Sequence, residues 1–241
     1  GLGLCLYALA TRRDLRFSAA DLRPDAACAA HVARLAFVTG AQQSIMNFGI
    51  LLVQGRVNSF GPAVMAAFAA AVKIDSFAYM PVQDFGNAFS TFIAQNYGAG
   101  QTGRIRRGTR SAVAASMLFG AAVSAVVFVL ARPLMLLFVR PEEGEILAIG
   151  VQYLRVEGTF YCLIALLFLL YGFWRAVERP GMSVVLTVIS LGLRVVLAYG
   201  LSAIPALGAA GIWVSIPIGW AVADLAGCLP MVRWLRRAGN R

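Results

Sequence analysis

The chain has 241 residues, of which 60% are hydrophobic and only 13% charged, and its mean hydropathy is +0.75. No ordinary soluble domain is so poor in charge, which excludes a water-soluble enzyme or binding module. The formal net charge of +10 would suit a nucleic-acid binder, but the placement of the charges, taken up below, argues against that partner.

A spanning helix needs about 20 apolar residues. Residues 1–10 are too few to span and read as the end of a preceding transmembrane helix. There is no initiator Met and no signal peptide, so the chain reads as a fragment or a C-terminal half. Residues 11–34 form a polar, Arg- and Ala-rich cytoplasmic linker, in which Asp21, Pro24 and Asp25 predict a short interfacial helix with a break. The first full span, 35–57, ends near Gly55 and Arg56, and the turn Asn58–Pro62 follows outside. The second, 64–96, is too long for a bare span. Either its first turns project outside or it breaks at Lys73; the glycines of Asn96–Gly100 stop it. The third, 111–131, stops at Arg132-Pro133, and residues 133–150 read as a short amphipathic segment on the outer surface. Spans 154–175, 182–204 and 209–232 follow, separated by Glu178–Gly181 and by Ser202–Gly208. The predicted fold class is all-α: a polytopic membrane bundle whose residues 35–232 make one six-helix lobe, followed by a cytoplasmic basic tail, 233–241. No sequence repeat is visible within it, but such a lobe suits one half of a two-fold transporter plan.

Fifteen of the 21 basic residues fall on one alternating set of loops. They are Arg12, Arg13, Arg16, Arg23 and Arg34; Arg104, Arg106, Arg107 and Arg110; Arg175 and Arg179; and Arg233, Arg236, Arg237 and Arg241. The opposite set carries Arg56, Arg132, Arg140 and Arg155 beside Glu142, Glu143, Glu145 and Glu157. This is the positive-inside bias of a protein in the cytoplasmic or inner membrane, with its C-terminus in the cytoplasm. Attraction to anionic membrane lipids, rather than to nucleic acid, explains those arginines. Cys5, Cys28, Cys162 and Cys228 are scattered, and His31 is the single histidine. That pattern holds no metal site, no Ser/Cys–His nucleophile and no cofactor motif, so no enzyme is expected.

Charges within apolar stretches carry the functional signal. An ionisable group in hydrocarbon costs roughly 3 kcal/mol on insertion scales, so it faces protein or a wet cavity. On 64–96, Ser76, Tyr79, Gln83, Asn87 and Ser90 share one side at 100° per residue, with Lys73, Asp84, Thr91 and Gln95 beside them. Pro81 sits mid-helix, where it removes a backbone bond and offers a hinge. The arc is either a cavity wall with a hinge or a polar seam between packed helices. Lys73 and Asp75 point to different sides near the outer end, within snorkelling reach of water. Asp84 lies deeper, free to meet a cation, a proton or a basic residue. Gln43, Asn47, Gln54 and Asn58 form a narrow stripe on 35–57 and suit either cross-helix bonding or the uncharged parts of a ligand. Arg194 and Asp224 read as structural charges, Arg194 neutralised by helix carbonyls or by a carboxylate, for which Asp224 is one candidate. Beside Asp224 runs the ridge Gly211, Ser215, Gly219, Ala223 and Gly227, spaced by four for close packing.

Three segments carry a family resemblance. Lys73–Pro81, Gly86–Ser90 and Gln95–Ala99 with Arg104 resemble the eighth helix and following loop of the MATE (multidrug and toxic compound extrusion) family, in its DinF/NorM-like branch. Arg194–Tyr199 resembles its eleventh helix, and Gly208–Trp213 the start of its twelfth. Val38 and Met46-Asn47 stand where many members carry a proline and an acidic residue. The resemblance implies a twelve-helix transporter of two lobes, with this chain as the C-terminal one and the N-terminal lobe missing. It further implies export of cationic amphiphilic compounds in exchange for Na⁺ or H⁺, and no other cofactor. The expected cavity lining is Gln43, Asn47, Gln54, Lys73, Asp75, Tyr79, Gln83, Asp84 and Asn87, with Pro81 as hinge. A lipid-linked saccharide flippase of the same superfamily and a non-transporting half-size membrane protein are the alternatives.

Overall fold

The computed structural model describes residues 25–238, with isolated positions at Gly3, Tyr7, Ala10 and Thr11. The interfacial helix expected around Asp21 and Pro24, most of residues 1–10 and the last three residues of the tail lie outside the described residues. Seven helices follow one another: α1 (Ala26–Asn58), α2 (Pro62–Gly98), α3 (Thr102–Leu136), α4 (Gly144–Gly158), α5 (Tyr161–Ala176), α6 (Pro180–Ser202) and α7 (Ala210–Ala238). Residues 1–37 form one compact unit and Val38–Arg241 another; the second is the membrane lobe.

Helices α1, α2, α3, α6 and α7 are each long and apolar enough to cross a bilayer, and α4 with α5, bent by 53° at their break, makes a sixth if the pair is counted as one span. With no water in hydrocarbon to satisfy backbone groups, apolar composition of this length forces helix. The bent crossing corrects one expectation. Residues 144–150 are not a surface segment but the start of a core helix. The acidic Glu142, Glu143 and Glu145 are exposed, but Leu147, Gly150, Tyr153, Leu154, Glu157 and Gly158 recur every three or four residues and are buried. Several boundaries also move: α1 begins at Ala26, inside the expected linker, and α3 runs through Pro133 to Leu136. Helix α3 starts at Thr102, so Arg104 to Arg110 lie on its first turns, and α7 runs to Ala238, so Arg233 to Arg237 are helical rather than a loose tail.

Glycines set how closely the helices approach. A Cβ at Gly219 would sit 2.4 Å from the Ser190 carbonyl oxygen, and one at Gly211 would sit 2.6 Å from the Leu201 carbonyl carbon. The ridge on α7 is therefore a backbone-to-backbone seam against α6. Gly172 of α5 meets Gly86 of α2 in the same way, at 2.6 Å from its oxygen. Away from the arginine-rich end, Phe68 of α2, Tyr153 of α4 and Trp213 of α7 pack as an aromatic triad with centroids 4.9–5.5 Å apart. Such triads add directional attraction to plain area burial.

From Val38 onward, α1 touches α6 at separate points. Gln42 Nε2 donates to Thr187 Oγ1 (2.9 Å), Gly49 lies against Leu191, and Arg56 Nε donates to Ser202 Oγ (2.8 Å). Phe48 and Leu51 on the same helix are exposed.

Candidate functional site

Asp75 is 3% exposed, so it is a core residue rather than an interfacial one. Lys73, two residues earlier and 200° round the helix, is exposed. The apolar neighbours Ala71 and Ile74 carry Asp75 inward on α2. There Tyr161 at the start of α5 donates its hydroxyl to Asp75 Oδ1. Tyr153 and Glu157, one turn apart on α4, lie near the same carboxyl without a hydrogen bond to it. Glu157 is itself 6% exposed. Arg194 of α6 lies near enough to act on both acids electrostatically. Asp75 Oδ2, Glu157 Oε2 and Arg194 Nε are buried and have no hydrogen-bond partner. Four helices thus bring two carboxyls, two phenols and a guanidinium together in the middle of apolar spans, with bonding capacity left over.

From Asp75 a polar row runs down α2 at intervals of four: Tyr79, Gln83, Asn87. This spacing keeps the row on one slowly turning face. Tyr79 packs beside Phe168 of α5, with centroids 6.4 Å apart. Gln83 and Asn87 then line a small crevice with Thr39, Gln42, Gln43 and Met46 of α1 and Phe168, Tyr171 and Arg175 of α5. Arg175 Nη2 donates to Asn87 Oδ1 at 3.2 Å. The crevice holds about 60 Å³. That admits a water or two, whereas a drug-sized solute needs roughly 300–1,000 Å³.

Apart from Gln43, which also borders the crevice, the remaining expected residues fall elsewhere. Gln43 donates to Asn47 (3.4 Å) and Gln54 to Asn58 (2.9 Å), so these amides pair along α1 instead of across helices. The amide that does bridge helices is Gln42, one residue away from the expected stripe. Asp84 is exposed on α2 and outside the crevice. Helix α2 runs unbroken through Pro81, which lines an apolar cavity of about 360 Å³ against α3. The expected pairing of Arg194 with Asp224 is not formed: both Asp224 oxygens are buried without a partner. The Arg194 Cβ packs at the level of Gly219, 3.5 Å from where a Cβ there would sit. Asp224 lies five residues and about 140° further round α7, beside Tyr171. Sequence reasoning missed Glu157, Tyr153, Tyr161 and Arg175. Along the chain Glu157 groups with the acids near the loop at 137–143; its signal is the four-residue spacing from Tyr153 on a stripe of buried apolar positions.

The MatE family profile matches residues 36–200. The chain belongs to the MATE family. Its members are transporters, not enzymes, and this chain is a multi-pass membrane protein. The probable multidrug resistance protein YpnP of Bacillus subtilis is 29% identical over 200 residues, covering 82% of this chain and 44% of YpnP. The probable multidrug resistance protein NorM of Brucella suis is 23% identical over 201 residues, covering 80% of this chain and 41% of NorM. In fold, a MOP-superfamily transporter from Pyrococcus furiosus superposes with a TM-score of 0.89 at 20% identity, covering 98% of this chain and 53% of that one. An outward-facing multidrug resistance MATE transporter gives 0.89 at 20% identity, covering 99% and 54%. The chain therefore spans about half the length of the MATE proteins it matches.

Proposed function

We propose that this chain is the C-terminal lobe of a cation-coupled exporter of cationic amphiphilic compounds, exchanging them for Na⁺ or H⁺. The observation that carries the reading is the buried pair Asp75 and Glu157, with unpartnered oxygens, at the head of the row that leads to the crevice. Two adjoining carboxylates repel, and a proton or a small monovalent cation between them relieves that repulsion. A carboxyl pair without a fixed counter-ion suits a charge that comes and goes. Arg194 tempers the site but leaves it unneutralised.

The substrate compartment is completed by a second, N-terminal lobe. The crevice is too small for a drug, and Lys73 and Asp84 are exposed on a helix that lipid cannot cover at those positions. Asp84 would compensate a cationic substrate there, with Gln43, Asn47 and Tyr79 nearby, and Pro81 would let α2 bend between states. The arginine-rich end faces the cytoplasm of a bacterial inner membrane, in keeping with the positive-inside bias.

The test is dye efflux from cells expressing the full-length gene product, with the Na⁺ and proton gradients collapsed separately. Asp75→Asn and Glu157→Gln should each slow efflux at least about tenfold at unchanged expression, since each removes one charge of a coupled pair. Efflux at the parental rate in both variants would remove the cluster from the mechanism.

A further inference from the structure

The arginine-rich end of the lobe holds a cavity that the transport reading leaves unused. Its volume is about 550 Å³, and it lies where α2 ends, α3 and α6 begin, and α7 finishes. Arg179, Arg233 and Arg237 line it, and none of the described residues lining it is acidic. Glu178, beside Arg179 in the turn, is not part of the lining. The walls are aromatic and mutually braced: Tyr97 lies 6.1 Å from Trp234, and Phe173 holds Trp234 at 5.4 Å and Trp174 at 5.3 Å. Trp174 is 2% exposed, and its indole N–H, a donor with no acceptor function, has no partner. Thr102, the first residue of α3, adds a hydroxyl and a helix start whose first turn carries no acid.

Diffuse attraction of loop arginines to a membrane needs none of this. It needs neither a cavity, nor rigid aromatic walls, nor a buried donor left open. Three guanidiniums and a hydroxyl around one half-open cavity, with an unpartnered indole N–H behind its aromatic wall, match a tetrahedral anion with several acceptor oxygens. Tyr and Trp rings at the same depth suit the glycerol and first methylenes below such a headgroup. We propose that this cavity is a binding site for a phosphate group, presented by an anionic phospholipid that wedges between α2, α5 and α7 at the cytoplasmic surface.

The purified full-length protein in neutral detergent is titrated with phosphatidylglycerol, with phosphatidylcholine as the uncharged comparison, and bound lipid is counted by native mass spectrometry. Millimolar inorganic phosphate is run as a separate arm. The site predicts tighter retention of phosphatidylglycerol than of phosphatidylcholine. The pair Arg233→Gln/Arg237→Gln should weaken that retention by about 30-fold, roughly a factor of five per arginine at a membrane surface. The pair Arg106→Gln/Arg107→Gln removes the same charge from exposed positions outside the cavity and should change it less than about threefold. Trp174→Phe keeps an aromatic ring, though a smaller one, removes the N–H and should weaken it a few-fold. Equal losses in both arginine pairs, or no loss in Trp174→Phe, would overturn the site in favour of unspecific surface charge. Protection by inorganic phosphate alone, without retained lipid, would keep the site and assign it to a soluble phosphate.

Discussion

Replacing Gly172 by alanine tests the contact that holds the crevice together. A Cβ there would stand 2.6 Å from the Gly86 carbonyl oxygen and 3.3 Å from Ser90 Cβ. The first neighbour is α2 backbone, so no flexible side chain can swing away. The two helices must part by several tenths of an ångström, and forced overpacking of this kind costs about 1–3 kcal/mol. For a chain of this size each kcal/mol moves Tm by about 2–4 °C. The purified protein should therefore melt roughly 3–10 °C lower in detergent. The reverse change, Gly86→Ala, meets the Phe168 oxygen at 3.1 Å and should cost less. Gly192→Ala on α6 meets nothing within 4 Å and should gain up to about 1 kcal/mol from helix propensity. Gln83 and Asn87 flank Gly86 on α2, and Tyr171 and Arg175 flank Gly172 on α5. Spreading that contact should also break the 3.2 Å bond from Arg175 to Asn87 and slow efflux in the full-length protein. A Gly172→Ala protein that melts with the parent, or a Gly192→Ala protein that falls as far, would show that the close approach of α2 and α5 is not what sets this geometry.

Tyr161→Phe removes the one hydroxyl that donates to Asp75 Oδ1 and should cost about 0.6–1.7 kcal/mol, the range for hydrogen bonds between membrane helices. In an Asp75→Asn background the same change should cost less, and strict additivity in the double-mutant cycle would refute the pairing. Arg56→Gln removes the bond to Ser202 and the stacking of the guanidinium over Phe60 (5.1 Å) and Tyr199 (5.6 Å). Amide exchange across the Arg56 end of α1 should then rise several-fold while α6 and α7 stay protected; an unchanged exchange pattern would mean that α1 is anchored elsewhere.

Much of this architecture was legible in the chain itself, for a reason particular to membranes. Lipid offers no partner to a backbone N–H or C=O, so apolar runs of about 20 residues have one solution, a helix. The all-α class, the six crossings and the packing ridge from Gly211 to Gly227 followed from composition and spacing. So did the polar side of α2, because periodicity on one helix fixes the angles between its own residues. Periodicity says nothing about which neighbour occupies each angle. That was decided by the packing, with its glycine seams at Gly86–Gly172 and along α6–α7, which turns Asp75 inward, leaves Lys73 and Asp84 at the surface, and sets Arg194 within electrostatic reach of Asp75 and Glu157 but in no ion pair with Asp224. Glu157 shows the limit most plainly. Read along the chain it is one more acid near an outer loop; only the bend between α4 and α5 carries it into the core, against a carboxyl 82 residues away in sequence.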